Sequence, residues 1–132
     1  MDATRIIAIR HGETAWNVDS RLQGHLDIPL NDVGLWQARQ AALALADEPR
    51  AALYSSGLPR ARATAQAIAE TTQAPLAAHQ GLRERSFGVL QGHTFEELEA
   101  KEPEQAYRWR KRDPAFAPEG GESLIALRER IT

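Results

Sequence analysis

No cysteine occurs in the 132 residues, which excludes disulfides, thiolate nucleophiles and thiolate metal sites together. Long apolar runs are missing as well. The longest uncharged stretches, residues 6–9 (IIAI) and 41–46 (AALALA), fall far short of the roughly 20 residues a bilayer-spanning helix needs. The start, Met1-Asp2-Ala3-Thr4-Arg5, leads straight into a strand-like run without the basic and apolar regions of a secretory signal, so a cytoplasmic location away from membranes is expected. An excess of one charge is also absent: the formal net charge of −2 gives no basic footprint for nucleic acid. What is present, 42% hydrophobic and 26% charged residues, is the composition of one ordinary globular domain over residues 1–132. The sequence does not indicate an oligomeric state.

The pattern along the chain alternates strands and helices. Residues 4–9 form a near-continuous apolar run ending in Arg10-His11-Gly12, as expected of a parallel strand covered on both faces. The C-terminal edge of such a sheet is where ligands bind. Residues 11–31, with Gly12, Asn17, Asp19, Ser20, Gly24, Asp27, Pro29 and Asn31, read as a long irregular loop of the kind that carries function. Asn31 is placed to cap a helix reaching about Asp47, with Val33, Trp36, Gln37, Gln40, Ala41, Leu43 and Ala44 forming a mostly apolar stripe at helical spacing and Gly34 weakening its first turn. A second strand at 51–55, a helix at 60–71 after Gly57-Leu58-Pro59, and a third strand at 75–79 follow. Thr94-Phe95-Glu96-Glu97 has capping-box spacing, Pro103 suits the first turn of a helix to about Arg112, residues 113–121 are a loop, and 122–131 begins an amphipathic helix. No stop signal marks Thr132, so the pattern reads as interrupted there. The expected class is α/β, three layers (α/β/α) with a mainly parallel sheet.

Arg10-His11-Gly12-Glu13-Thr14 is the sharpest chemical signal. A histidine at a strand end can attack phosphorus as a neutral imidazole, the adjacent arginine carries a fork matched to phosphate oxygens, and Gly12 permits close backbone approach to a ligand. A lone histidine there would more often simply satisfy local hydrogen bonds. However, Ser55-Ser56-Gly57-Leu58-Pro59-Arg60 delivers a second arginine to a strand-to-helix junction, where a helix start disfavours positive charge unless an anion binds. Arg62, further round the helix, faces solvent on this reading. Leu82-Arg83-Glu84-Arg85 adds a carboxylate that suits a general acid and equally suits a surface salt bridge with Arg83 or Arg85. Arg108, Arg110, Lys111 and Arg112 form a separate basic cluster that reads best as a solvated helix face.

Together these segments, RHGETAWN, SSGLPRARATA, LRERSFGVLQG and PEGGES, resemble the histidine phosphatase superfamily (phosphoglycerate mutase-like) in order and over essentially the whole chain. By that resemblance His11 is the phosphorylated nucleophile, Arg10 and Arg60 clamp the phosphoryl group, and Glu84 is the proton donor. Asn17, Gln23, Gly24 and Arg83 become candidates for substrate binding. The partner implied is a small-molecule phosphomonoester, and the scheme requires no metal or other cofactor. The family's second catalytic histidine sits in a Ser-His-Gly-like motif on a later strand, and none of His25, His79 or His93 stands in that context. The domain is therefore expected to be incomplete at its C-terminus, with a gap between the first two strands where the missing strand belongs and poor independent folding. Phosphomonoester hydrolysis is the preferred activity, because the short PEGGES segment resembles the smaller broad-specificity phosphatases of the family and Phe87 and Phe95 stand where mutases carry a tyrosine and a lysine. The Trp109-Arg110-Lys111 run keeps phosphoglycerate mutase as an alternative, and a catalytically dead phosphate-binding or interaction module is a third.

Overall fold

A computed structural model describes residues 3–48 and 52–132. Two strands, β1 (Leu53–Ser55) and β2 (Leu76–Ala78), pair in parallel with Leu53 opposite Leu76 and Ser55 opposite Ala78. The crossover between them is α3 (Pro59–Thr72), which starts on a proline in its first turn and ends at Gln73 in the left-handed conformation. This βαβ unit is the α/β arrangement expected from the sequence; Ala51, the first residue of the expected second strand, lies outside the described residues.

Helix α2 (Asp32–Ala44) is capped by Asn31, whose Oδ1 accepts from the Gly34 N–H at 2.8 Å. It packs on α3, burying Ala38 and Ala42 on its own side and Ala65 and Ile68 on the other. Small residues at both surfaces let the two axes approach closely. A second apolar cluster joins Leu90, Leu98 and Ala106 with Leu22, Phe87, Phe95 and Trp109, tying α4 (Phe95–Lys101) and α5 (Pro103–Arg110) together. Within it, Phe87 meets Trp109 edge-on at 4.9 Å, and the Arg85 guanidinium lies 4.8 Å from the Trp109 ring centroid. The last helix, α6 (Leu124–Ile131), is capped by Ser123. Among the described residues no helix is long and apolar enough to cross a membrane.

Two expectations are corrected. The loop expected at 11–31 contains a short helix, α1 (Ala15–Val18), because Thr14 and Asn17 form a reciprocal capping box. The strand expected at 4–9 is absent: these residues have no regular structure, and Ile6 is 86% exposed. A strand exists only through a partner's backbone groups, and among the described residues no strand pairs with 4–9. The segment does not pair with β1. A cavity of about 420 Å³ lined by Ile7, Ile9, Leu53, Tyr54, Leu127 and Ile131, among others, separates the two instead.

Helix α4 has the capping box read from the sequence, with Thr94 Oγ1 accepting from Glu97 N and Glu97 accepting from Thr94 N. Glu97 also takes the Arg21 guanidinium at 2.8 Å. The Arg21 hydrogen bond, followed by that from the Thr94 backbone, holds the Glu97 carboxyl down from 4.5 to about 2. A depressed carboxylate pKa stabilises the fold above the unfolded value, and the contribution fades as pH falls toward the folded value. The melting temperature of Glu97→Gln is therefore expected to lie below that of the parent at pH 7, with the gap closing between pH 4.5 and about 2; a pH-independent gap would refute the ion-pair account.

Candidate active site

His11 follows the irregular 3–10 segment and is half-buried. Its Nδ1 lies 2.6 Å from the Gly12 carbonyl oxygen. A carbonyl only accepts, so Nδ1 is the donor, and in the neutral imidazole the lone pair is on Nε2. The backbone around it is pinned from two sides. Gly12 N–H donates to Thr64 Oγ1 at 3.1 Å, and Thr64 Oγ1 in turn donates to the Arg60 carbonyl at 2.8 Å. The histidine and arginine segments are thus joined through one hydroxyl. Thr64, one helical turn after Arg60, was not singled out from the sequence, although the i, i+4 spacing was legible.

Packing requires the glycine at position 12. A Cβ there would meet the Gly34 carbonyl oxygen at 2.5 Å, and one on Gly34 would meet the Glu13 carbonyl oxygen at 2.1 Å. Gly34, which weakens a helix start by propensity, is thereby explained as the point where α2 touches the Gly12-Glu13 backbone. Gly34→Ala gains helix propensity of up to about 1 kcal/mol but forces two backbones apart, an overpacking cost of about 1–3 kcal/mol. Net destabilisation in a urea titration is expected, and a stabilised variant would show that the contact yields freely.

Arg60 is 2% exposed. Its Nη1 donates to Leu26 O at 2.7 Å and its Nη2 to Gly24 O at 2.5 Å. Burial lowers its pKa, opposed by the charges of Glu84 and Asp27, yet an arginine remains cationic under any protein conditions. Gly24, at φ 57°, lets the loop turn its carbonyl toward that guanidinium, a backbone conformation other residues adopt at a cost. Arg10 is exposed and makes no hydrogen bond or ion pair with any described residue. Glu84 is exposed, and its Oε1 accepts from the Arg85 N–H at 2.7 Å. Among the described residues it makes no salt bridge with Arg83 or Arg85. The Arg85 side chain instead donates to the Glu122 and Phe116 carbonyls at 2.7 and 2.9 Å.

The 420 Å³ cavity gathers Arg10, His11, Ser55, Ser56, Arg60, Arg83 and Glu84 along its polar lining. The other three candidates lie elsewhere. Asn17 Oδ1 accepts from the N-cap Thr14 N–H at 2.9 Å, Gln23 Oε1 accepts from Thr14 Oγ1 at 2.7 Å, and Gly24 meets the cavity's arginine only through its carbonyl. Sequence reading also missed what holds the Glu84 loop. Glu122 accepts from Ser86 N at 2.8 Å and from Arg130, whose Nη1 reaches Gly81 O at 2.7 Å; His25 Nε2 donates to Glu84 O at 2.6 Å. Among the described residues, no three His, Asp or Glu side chains gather as a metal site requires.

The fold and the lining define an α/β protein with an arginine-rich cavity at the C-terminal end of a parallel strand. The chain belongs to the histidine phosphatase superfamily (branch 1), whose family model matches residues 6–132. It is 41% identical to phosphoglycerate mutase-like protein 4 of Arabidopsis thaliana, over all of this chain and 59% of that protein. It is 43% identical to the metal-independent phosphoserine phosphatase of the same plant, over 98% of this chain and 56% of that one. Among solved structures, a mycobacterial glucosyl-3-phosphoglycerate phosphatase complexed with VO3 superposes with a TM-score of 0.84 at 38% identity, covering 91% of this chain and 57% of that one. The chain thus spans less than two thirds of the length of these relatives. Relatives in the family bear the names of phosphatases and of phosphoglycerate mutases.

Proposed function

We propose that this chain transfers a phosphoryl group through a phosphohistidine at His11, and that the reaction is hydrolysis of a small phosphomonoester. The observation that carries the reading is the 2.6 Å contact of His11 Nδ1 with the Gly12 carbonyl, which in the neutral ring leaves the lone pair on Nε2, in a cavity shared with Arg10, Arg60 and Glu84. Nε2 attacks phosphorus and forms the N–P bond as the ester P–O bond breaks. The leaving oxygen takes its proton from the Glu84 carboxylic acid. Water then attacks the phosphohistidine, Glu84 carboxylate accepts the water proton, and phosphate leaves with His11 regenerated. Arg10 and Arg60 stabilise the charge spread over the transferring oxygens, which needs positioned cations rather than covalent chemistry. Arg60 is held by loop carbonyls before any substrate arrives, so it reorganises little.

Hydrolysis is preferred over mutase chemistry because the Trp109-Arg110-Lys111 run takes no part in the cavity. Trp109 packs on Phe87, and Arg110 lies over Phe95. The test is turnover of p-nitrophenyl phosphate by the 132-residue chain beside a His11→Ala control. Activity that the control loses supports the reading. A folded chain that binds phosphate without turnover refutes it in favour of an anion-binding module.

A further inference from the structure

The Glu84 carboxylate is not fixed by any partner side chain: among the described residues its one hydrogen bond is to the N–H of the next residue, Arg85, at 2.7 Å. Where the carboxyl group sits is therefore set by the Glu84 backbone, and that backbone is held from outside its own segment. Its carbonyl oxygen accepts from His25 Nε2 at 2.6 Å and from Arg130 Nη2 at 3.2 Å. His25 follows Gly24, whose carbonyl takes the Arg60 guanidinium, so the first bond ties the acid to the loop that fixes a phosphate-facing arginine. The second belongs to a wider grip. Arg130 Nη1 also donates to Gly81 O at 2.7 Å, and the two carbonyls bracket Leu82 and Arg83.

Arg130 is itself anchored. Its Nε and Nη2 meet Glu122 Oε2 and Oε1 at 2.9 and 3.0 Å, the two-pronged pairing that fixes a guanidinium in direction as well as in place. The Arg130 hydrogen bond is the largest influence holding the Glu122 carboxyl below its ordinary value, which keeps the anchor charged. Glu122 Oε1 accepts from Ser86 N as well, at 2.8 Å. One ion pair thus grips residues 81, 84 and 86, on both sides of the proton donor. Among the described residues none of the Arg130 side-chain bonds goes to another helix, and α6, which carries it, buries no residue completely. The pair serves the Glu84 segment rather than the packing of a core.

We propose that Arg130 is a positioning residue for the proton donor, aiming the Glu84 carboxyl at the leaving oxygen by holding the Gly81 and Glu84 carbonyls. The proposal rests on the reading above in which Glu84 is that donor. Proton donation matters more as the leaving group becomes poorer. The nitrophenolate of p-nitrophenyl phosphate leaves with little help, whereas the alkoxide of glycerol 2-phosphate must be protonated as its P–O bond breaks. The test is kcat/KM of the full chain on both esters, taken as the alkyl-to-aryl ratio; a loss of folded protein lowers both rates alike and leaves the ratio unchanged. Glu84→Gln is expected to lower the ratio by about a hundredfold. Arg130→Met should lower it by at least about tenfold, within the range that a misplacement of about 1 Å produces. Arg130→Lys, a point charge without the fork, should fall between Arg130→Met and the parent, and Glu122→Gln should shift the ratio in the same direction. A ratio unchanged in Arg130→Met, or in Glu122→Gln should the methionine variant not fold, while Glu84→Gln lowers it, overturns the proposal and leaves the donor standing. A ratio unchanged in Glu84→Gln, or no turnover of either ester by the folded parent, overturns the donor reading and the proposal with it.

Discussion

Replacing His11 by Ala is expected to lower p-nitrophenyl phosphate turnover by at least about three orders of magnitude, the scale on which removal of a covalent nucleophile acts, while phosphate affinity changes only a few-fold. The split follows from where the charges are. Arg10 and Arg60 supply the electrostatic attraction for the phosphoryl oxygens, and neither depends on the imidazole for its position. Arg60 is fixed by Gly24 O and Leu26 O. Its neighbour in α3, Thr64, contacts the Gly12 backbone rather than the His11 ring. His11→Asn should behave as Ala does, because an amide restores hydrogen bonding but supplies no nucleophilic lone pair on nitrogen. A loss of affinity equal to the loss of turnover would mean that His11 acts by binding alone.

Arg60→Met carries the second large effect, on stability and anion binding together. The guanidinium is almost fully buried and holds two loop carbonyls. Deleting it leaves Gly24 O unmatched, while Leu26 O keeps the Ile28 N–H at 3.1 Å, at a cost on the order of 2 kcal/mol in a domain whose whole stability is only about 5–15 kcal/mol. A fall in melting temperature of roughly 10 °C follows. The same substitution removes one of the cations that would meet a phosphoryl oxygen, so vanadate affinity should drop by at least about tenfold. Arg60→Lys keeps a charge without the two-pronged fork and should fall between the two for both readouts. A variant as stable as the parent would show that the loop carbonyls find other partners.

Local signals in the sequence were strong enough to place most helices. Asn31 and Thr94 mark starts that the structure realises because a cap is satisfied by atoms three positions away, and Pro59 marks another because its fixed φ suits the first helical turn. The short α1 escaped notice because Asn17, in place of the usual Glu or Gln, closes its capping box. The apolar run at 4–9 was misread for a different reason. Its composition suits a strand, but a strand is defined by its neighbour, and the 420 Å³ cavity lies where β1 would have to pair.

For the site, the motifs brought Arg10, His11, Arg60, Arg83 and Glu84 to one cavity. What they could not reveal is the non-local bonding around it. The Thr64 bridge, the Gly12 to Gly34 contact and the Glu122, Arg130 and His25 bonds to the Glu84 loop join residues 22 to 59 positions apart. Nothing in a linear motif encodes those partners. Asn17 and Gln23 illustrate the converse: polar residues in a functional loop whose side chains serve the loop's own hydrogen bonds.

The central claim is that His11 accepts the phosphoryl group through Nε2. Its most direct test is mass spectrometry and phosphorus NMR of the chain quenched in alkali after mixing with p-nitrophenyl phosphate. The account predicts a phosphate on His11 that survives alkali, is released by mild acid and is absent from His11→Ala. A phosphate found on Ser55 or Ser56, which line the same cavity, or turnover that persists in His11→Ala, would contradict it.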